Sequence, residues 1–149
     1  LLEWSYFRNI GPEPLTGNFN PEYLQKKLFS SSAPIKKILL DQKVVAGIGN
    51  IYACEALHQA KIHPQRPSKN LNFDEITSLV FSIKNILQKA IAEGGSTLKD
   101  YARPNGELGY FSTKFKVYGK EGEQCECGHT IERYTLGGRS TFLCSSCQK

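Results

Sequence analysis

Four of the five cysteines stand near the end of the chain, as Cys125-x-Cys127 and Cys144-x-x-Cys147 with sixteen residues between the pairs. Two close pairs a hairpin's length apart can bring four thiolates to one tetrahedral zinc ion. A tail this short holds too little apolar material to fold unaided, so metal would supply most of its stability. The alternative is a pair of disulfides or four unliganded thiols. Leu1 to Ile10 contain Glu3 and Arg8 and lack a basic start followed by an apolar stretch, so they do not read as a secretory signal. Clustered thiols in a reducing compartment point to metal before disulfide. The first pair has a single intervening residue where two to four are usual. His129 lies near enough to stand in for a cysteine; otherwise it is a solvated turn histidine. Cys54 stands apart and is expected to be a packed small residue within a helix.

A second pattern is the glycine-punctuated stretch Asp41-Gln42-Lys43-Val44-Val45-Ala46-Gly47-Ile48-Gly49-Asn50. Backbone N–H groups at a helix start lie at the positive end of its dipole and receive phosphate well. Gly47 and Gly49 would let a phosphate come close to the backbone, and Lys43 adds charge. Many glycine-containing helix starts bind nothing, so this pattern alone is weak.

The elements that must position these residues are mostly helices. Asn20 as N-cap with Pro21 behind it starts a helix to about Phe29. A short helix from Pro34 to about Leu40 buries Ile35, Ile38 and Leu39. A third runs from Asn50 to about Ala60. The fourth runs from Asn72 to about Glu93, with Glu75 at the capping-box position and an apolar stripe of Ile76, Leu79, Val80, Ile83, Ile86, Leu87 and Ile91. Gly94-Gly95 ends it. Short strands are expected at Phe115 to Tyr118, Thr130 to Tyr134 and Thr141 to Leu143.

The net charge of +5, from 19 Lys and Arg against 14 Asp and Glu, permits a nucleic-acid partner without requiring one. No run of about 18 apolar residues is present, so no membrane partner is expected. Gly11-Pro12-Glu13-Pro14 and Gly17 cannot continue as helix and read as an interdomain linker that ends by docking on the helical unit after it. With no initiator Met before Leu1-Leu2, the chain is expected to be part of a longer protein.

The segment Leu39 to Ala53 closely resembles the helix-two-turns-helix segment of the formamidopyrimidine-DNA glycosylases. The resemblance extends over almost the whole chain, through Gly11-Pro12-Glu13-Pro14-Leu15, Ile62-His63-Pro64, Gly94 to Tyr101, Val117-Tyr118-Gly119 and Gly138-Arg139-Ser140-Thr141. Tyr52, after Asn50-Ile51, looks more like the formamidopyrimidine branch than the endonuclease VIII branch. The expected fold is mainly α, a helical bundle with a helix-two-turns-helix motif followed by a small β-hairpin zinc finger. The parts are a linker (1–19) from a preceding catalytic domain, the DNA-binding helical domain (20–95), a lesion-capping loop (96–113) and the finger (114–149).

The resemblance implies that Lys43, Asn50 and Arg139 hold the phosphates flanking a damaged nucleotide. It implies one zinc ion on Cys125, Cys127, Cys144 and Cys147, although the family usually has two residues in the first gap. Ser96, Thr97, Lys99, Tyr101, Gly109 and Tyr110 fall in the loop that closes over an everted base. The family's nucleophile is an N-terminal proline amine on a preceding domain, so this chain is expected to carry no catalytic residue and little activity alone. The implied activity is glycosylase and AP lyase action on oxidised purines, 8-oxoguanine and formamidopyrimidines. The implied partner is double-stranded DNA with oxidised or abasic lesions, bound by a monomer in the bacterial cytoplasm at the nucleoid. Two other readings stand beside it: an endonuclease VIII-like enzyme for oxidised pyrimidines, and a free-standing binding module without catalysis.

Overall fold

The computed structural model describes residues 10–94 and 115–149. Ser96, Thr97, Lys99, Tyr101, Gly109 and Tyr110, expected in a lesion-capping loop, and residues 1–9 of the expected linker lie outside the described residues. Within them the chain forms four α-helices and a two-stranded antiparallel hairpin. The helices are α1 (Pro21–Leu28), α2 (Ile35–Leu39), α3 (Asn50–Gln59) and α4 (Phe73–Gly94); the strands are β1 (Glu132–Leu136) and β2 (Arg139–Leu143).

Local chemistry sets the helix ends. The Asn20 side chain accepts the Tyr23 N–H at 2.8 Å, with Pro21 in the first turn of α1. Asn72 and Glu75 form a reciprocal capping box: Glu75 N–H donates to Asn72 Oδ1 at 2.8 Å and Asn72 N–H to Glu75 Oε1 at 2.9 Å. Arg66 grips the same carboxylate with two bonds of 2.8 and 2.9 Å, and its guanidinium holds the Glu75 carboxyl below the usual range. The start of α2 is closed by backbone, since Ile35 and Lys36 N–H donate to the carbonyls of Arg66 and Pro64.

Helix α4 packs against α1 and α3, and α3 also packs against α2 and β2. The apolar stripe of α4 joins Phe19, Leu24, Leu28, Ile35, Leu39, Val45, Leu57 and Ile62 in one core. Ile91 departs from expectation: it is 48% exposed, and Ala90 beside it takes the packed position instead. In α2, Ile35 and Leu39 are buried and Ile38 half-buried, while Lys36 is also fully buried. Cys54 is buried as expected, yet it belongs to a second core with Val117, Cys125, Ile131, Phe142 and Cys144.

The expected strand at Phe115 to Tyr118 is a turn instead. The N–H groups of Lys116, Val117 and Tyr118 all donate to the Glu55 carboxylate, at 2.7, 2.9 and 2.8 Å, and so cannot serve a strand ladder. The remaining strand positions shift: β1 begins two residues later than Thr130, which makes only an isolated bridge to Gln124. Strand β2 begins two residues earlier than Thr141. Gly137 and Gly138, both at positive φ, form the two-residue turn that pairs Leu136 with Arg139.

Gly11 and Pro12 dock on the helical unit. Gly11 N–H donates to the Gln42 carbonyl at 2.7 Å, and Ala46 N–H donates to that of Pro12 at 2.9 Å. A Cβ on Gly11 would lie 2.4 Å from the Val44 carbonyl oxygen and 2.8 Å from that of Lys43. Since both obstacles are backbone, Gly11→Ala should destabilise the chain by about 1–3 kcal/mol, the range for forced overpacking. Denaturant unfolding of the two proteins measures the loss; equal midpoints would contradict this packing.

Candidate metal centre and nucleic-acid interface

The four sulfurs of Cys125, Cys127, Cys144 and Cys147 lie within 4.8 Å of one another. The contacts run across the pairs, Cys125 to Cys147 at 3.5 Å and Cys127 to Cys144 at 3.4 Å. A tetrahedron with Zn–S bonds of about 2.3 Å has edges of about 3.8 Å, whereas a disulfide needs about 2.05 Å. The thiols are therefore unbridged and spaced to suit one zinc ion. The short Cys125-x-Cys127 gap does not prevent this, because the hairpin carries Cys144 and Cys147 to it. His129 lies outside the four-sulfur group, exposed, with Nδ1 3.6 Å from the Cys127 sulfur.

Crowding the thiols makes their protons interdependent. Hydrogen bonds, first from Cys147, bring the Cys127 thiol down to about 5, while the hydrogen bond to Cys127 pushes Cys147 up. Burial pushes Cys144 up as well. The cluster thus carries its first negative charge easily and its later ones poorly unless a cation is present.

The finger is locked to the helices by buried polar contacts. Lys36 Nζ donates to the Ser140 carbonyl at 3.1 Å and to Thr141 Oγ1 at 2.7 Å, and Asn50 Nδ2 donates to the same Ser140 carbonyl at 2.9 Å. Burial lowers the Lys36 ammonium from its ordinary value. Gln148, also buried, accepts the Cys144 N–H at 2.8 Å and donates to the Ile62 carbonyl at 3.0 Å. Burial pushes the Glu55 carboxyl up, with its three N–H partners pulling the other way.

This arrangement brings two of the three expected phosphate residues together. Arg139 directly precedes Ser140, the residue on which Asn50 is anchored. Arg139 also lines a cleft with Lys37, Asp41 and Gly137, so the hairpin tip faces the end of α2. Lys43 is exposed two residues beyond Asp41, and its N–H is fixed by the Asp41 carboxylate at 2.9 Å. Asn50 opens α3 behind Gly49, which supplies no side-chain cap. Among the described residues, chain neighbours aside, no atom lies within 4 Å of where a Cβ would sit on Gly47 or Gly49.

Sequence reasoning missed Lys36, Glu55 and Gln148. Glu55 gave one signal, as an acid set in the apolar run Ala53 to Leu57. Nothing separates Lys36 from its neighbour Lys37 in sequence.

Fold and site together define a helical module with a four-thiolate zinc finger. A family model described as the formamidopyrimidine-DNA glycosylase H2TH domain matches residues 10–102, and one described as a zinc finger found in FPG and IleRS matches residues 126–149. The chain belongs to the formamidopyrimidine-DNA glycosylase family. It is 50% identical over 149 residues to the formamidopyrimidine-DNA glycosylase of Novosphingobium aromaticivorans and 47% identical over 150 residues to that of Rickettsia bellii. All of this chain is covered, and it spans 55% of the length of each of these relatives. Among solved structures, the Lactococcus lactis FPG (MutM) in complex with FAPY-dG-containing DNA superposes with a TM-score of 0.85 at 41% identity, covering 99% of this chain and 54% of that one. The MutM (FPG) protein of Thermus thermophilus gives 0.86 at 42% identity, covering 98% and 56%.

One zinc per chain is expected by elemental analysis. Because Cys144 and Cys147 hold their protons above the ordinary thiol range and zinc must expel them, apparent zinc affinity should rise with pH from about 6 to 9. Competition with a chelator across that range checks it; a folded chain without metal, or affinity independent of pH, contradicts the site.

Proposed function

We propose that this chain is the C-terminal, DNA-binding part of a base-excision-repair DNA glycosylase and AP lyase acting on oxidised purines. The single observation that carries the reading is the shared Ser140 carbonyl, which sets Asn50 at the start of α3 beside Arg139 at the hairpin tip. A clamp on successive phosphates needs two such groups from separate units, and the anchor on Ser140 ties the start of α3 to the strand that begins at Arg139. In this reading α2, the turn through Lys43 and α3 form the helix-two-turns-helix motif. Lys43 supplies a point charge, the start of α3 its dipole, and Arg139 a fork for two oxygens. One N–H of the Asn50 amide is spent on Ser140, leaving the other for a phosphate. Zinc supplies structural stability to the finger and takes no part in the reaction.

The relatives support the substrate class. The Lactococcus lactis protein is solved with FAPY-dG DNA and with abasic-site DNA. It is also solved with an oxidised pyrimidine in the DNA, which keeps oxidised pyrimidines as a second substrate reading. The role of the lesion loop falls to residues 96–113, with Ser96, Thr97, Lys99, Tyr101, Gly109 and Tyr110 among them. No helix among the described residues is long and apolar enough to cross a membrane. The protein acts as a monomer on duplex DNA in the bacterial cytoplasm.

If the clamp is real, Arg139→Ala weakens duplex binding by about 1–3 kcal/mol, the range for a charge-assisted hydrogen bond. It also lowers the salt slope by roughly one, since one phosphate contact disappears. Lys43→Ala does the same less strongly, without the fork. Titrations at several salt concentrations on undamaged and abasic duplexes should show equal losses, because phosphate contacts carry no base information. Unchanged affinity and slope, with fold and zinc intact, would rule the clamp out.

The nucleophile is assigned to a proline amine on a preceding domain. The chain alone should therefore be trapped on abasic DNA by borohydride only at the slow background of lysine amines. Rapid trapping, at the rate of a full-length relative, would place a nucleophile within these residues.

A further inference from the structure

The short Cys125-x-Cys127 gap is served by a residue from outside the finger. His58, in the last turn of α3 and half-buried, brings Nε2 to 3.4 Å from the Cys125 sulfur. The other sulfurs of the cluster have their partners within the finger. In the ordinary Cys144-x-x-Cys147 pair, the Cys147 N–H donates to the Cys144 carbonyl at 3.1 Å. The Cys127 sulfur lies 3.6 Å from Nδ1 of His129, within its own loop. For Cys125 the partner is an imidazole on a helix of the other unit.

A cysteine bound to zinc is a thiolate and can only accept, so the imidazole nitrogen must donate. The helix holds the ring in place: α3 is tied to the finger by Asn50 on Ser140 at its start and by Glu55 on residues 116–118 in its middle. We propose that His58 is a positioning residue of the zinc centre. Its Nε2–H donates to the Cys125 thiolate, holds the shortened first pair in tetrahedral reach and slows the loss of zinc. Withdrawing charge from the sulfur makes it a poorer target for protons and electrophiles. The bond also couples metal loading to the helix that follows the Lys43 turn in the chain.

The test compares the unaltered chain with His58→Phe, which keeps a ring without a donor, and His58→Gln, which places an amide N–H near the Nε2 position. Zinc transfer to a chromogenic pyridylazo chelator is followed at fixed pH. His58→Phe should release zinc about 10–100-fold faster, the range for losing a partner behind a metal ligand, and His58→Gln should stay near the original rate. The cobalt-loaded proteins should show the sulfur-to-metal band of His58→Phe at longer wavelength, a signature that mere loss of packing would not give. Should His58→Phe fail to fold, the unaltered chain decides alone. Loaded with cadmium-113, it should show a scalar coupling from the metal through sulfur to the Nε2 proton. Equal release from all three proteins overturns the proposal, as does absence of that coupling. A direct metal-to-nitrogen coupling also overturns it, because His58 would then be a ligand.

Discussion

One carbonyl oxygen, that of Ser140, holds the two units of this molecule in register. Its two lone pairs receive Lys36 Nζ from α2 and Asn50 Nδ2 from α3. Because both donors come from the helical unit and the acceptor sits one residue from the hairpin turn, the position of Arg139 follows. A buried ammonium is costly unless fully bonded, so Lys36 tolerates only placements of the hairpin that supply it with acceptors. Thr141 Oγ1 supplies the second one at 2.7 Å. The seam therefore selects one docking geometry where apolar contact alone would allow several.

Helix α3 carries that geometry through the molecule. Tyr52, Ala53, Ala56 and Leu57 face the helical core, and Cys54 faces the finger's own small core. Its first residue anchors to β2, its middle carboxylate caps the turn at 116–118, and His58 in its last turn reaches a sulfur of the metal cluster. A two-stranded hairpin is marginal in water by itself. Here it is closed at one end by the four sulfurs and supported along one side by a helix. Metal and helix thus stabilise different parts of the finger, and both are needed to present its tip.

Much of this was legible from local chemistry. The caps at Asn20 and at Asn72 with Glu75, the apolar period of α4 and the paired cysteines are each set by neighbours in sequence, so their outcome could be read there. Where neighbours do not decide, the reading slipped. Ile91 follows the period of the α4 stripe and still faces solvent, while Ala90 beside it is buried in the core. The alternating run at Phe115 to Tyr118 looks like a strand, but a carboxylate 61 residues away from Lys116 takes its N–H groups.

What the sequence determined by itself was the set of helices, the cysteine pairs that suit zinc, and the family to which the motif strings point. The helices and the cysteine pairs rest on capping, periodicity and spacing, all short-range properties, and the family rests on the resemblance of its motif strings. Only the tertiary structure decided which of two adjacent lysines is buried, that Asn50 is anchored on Ser140 next to Arg139, and that His58 stands behind Cys125. Each of those depends on contacts between residues 67 to 105 positions apart. Such contacts arise from how one helix face and one hairpin fit together, and a side chain's type does not reveal which partner the fold will bring to it.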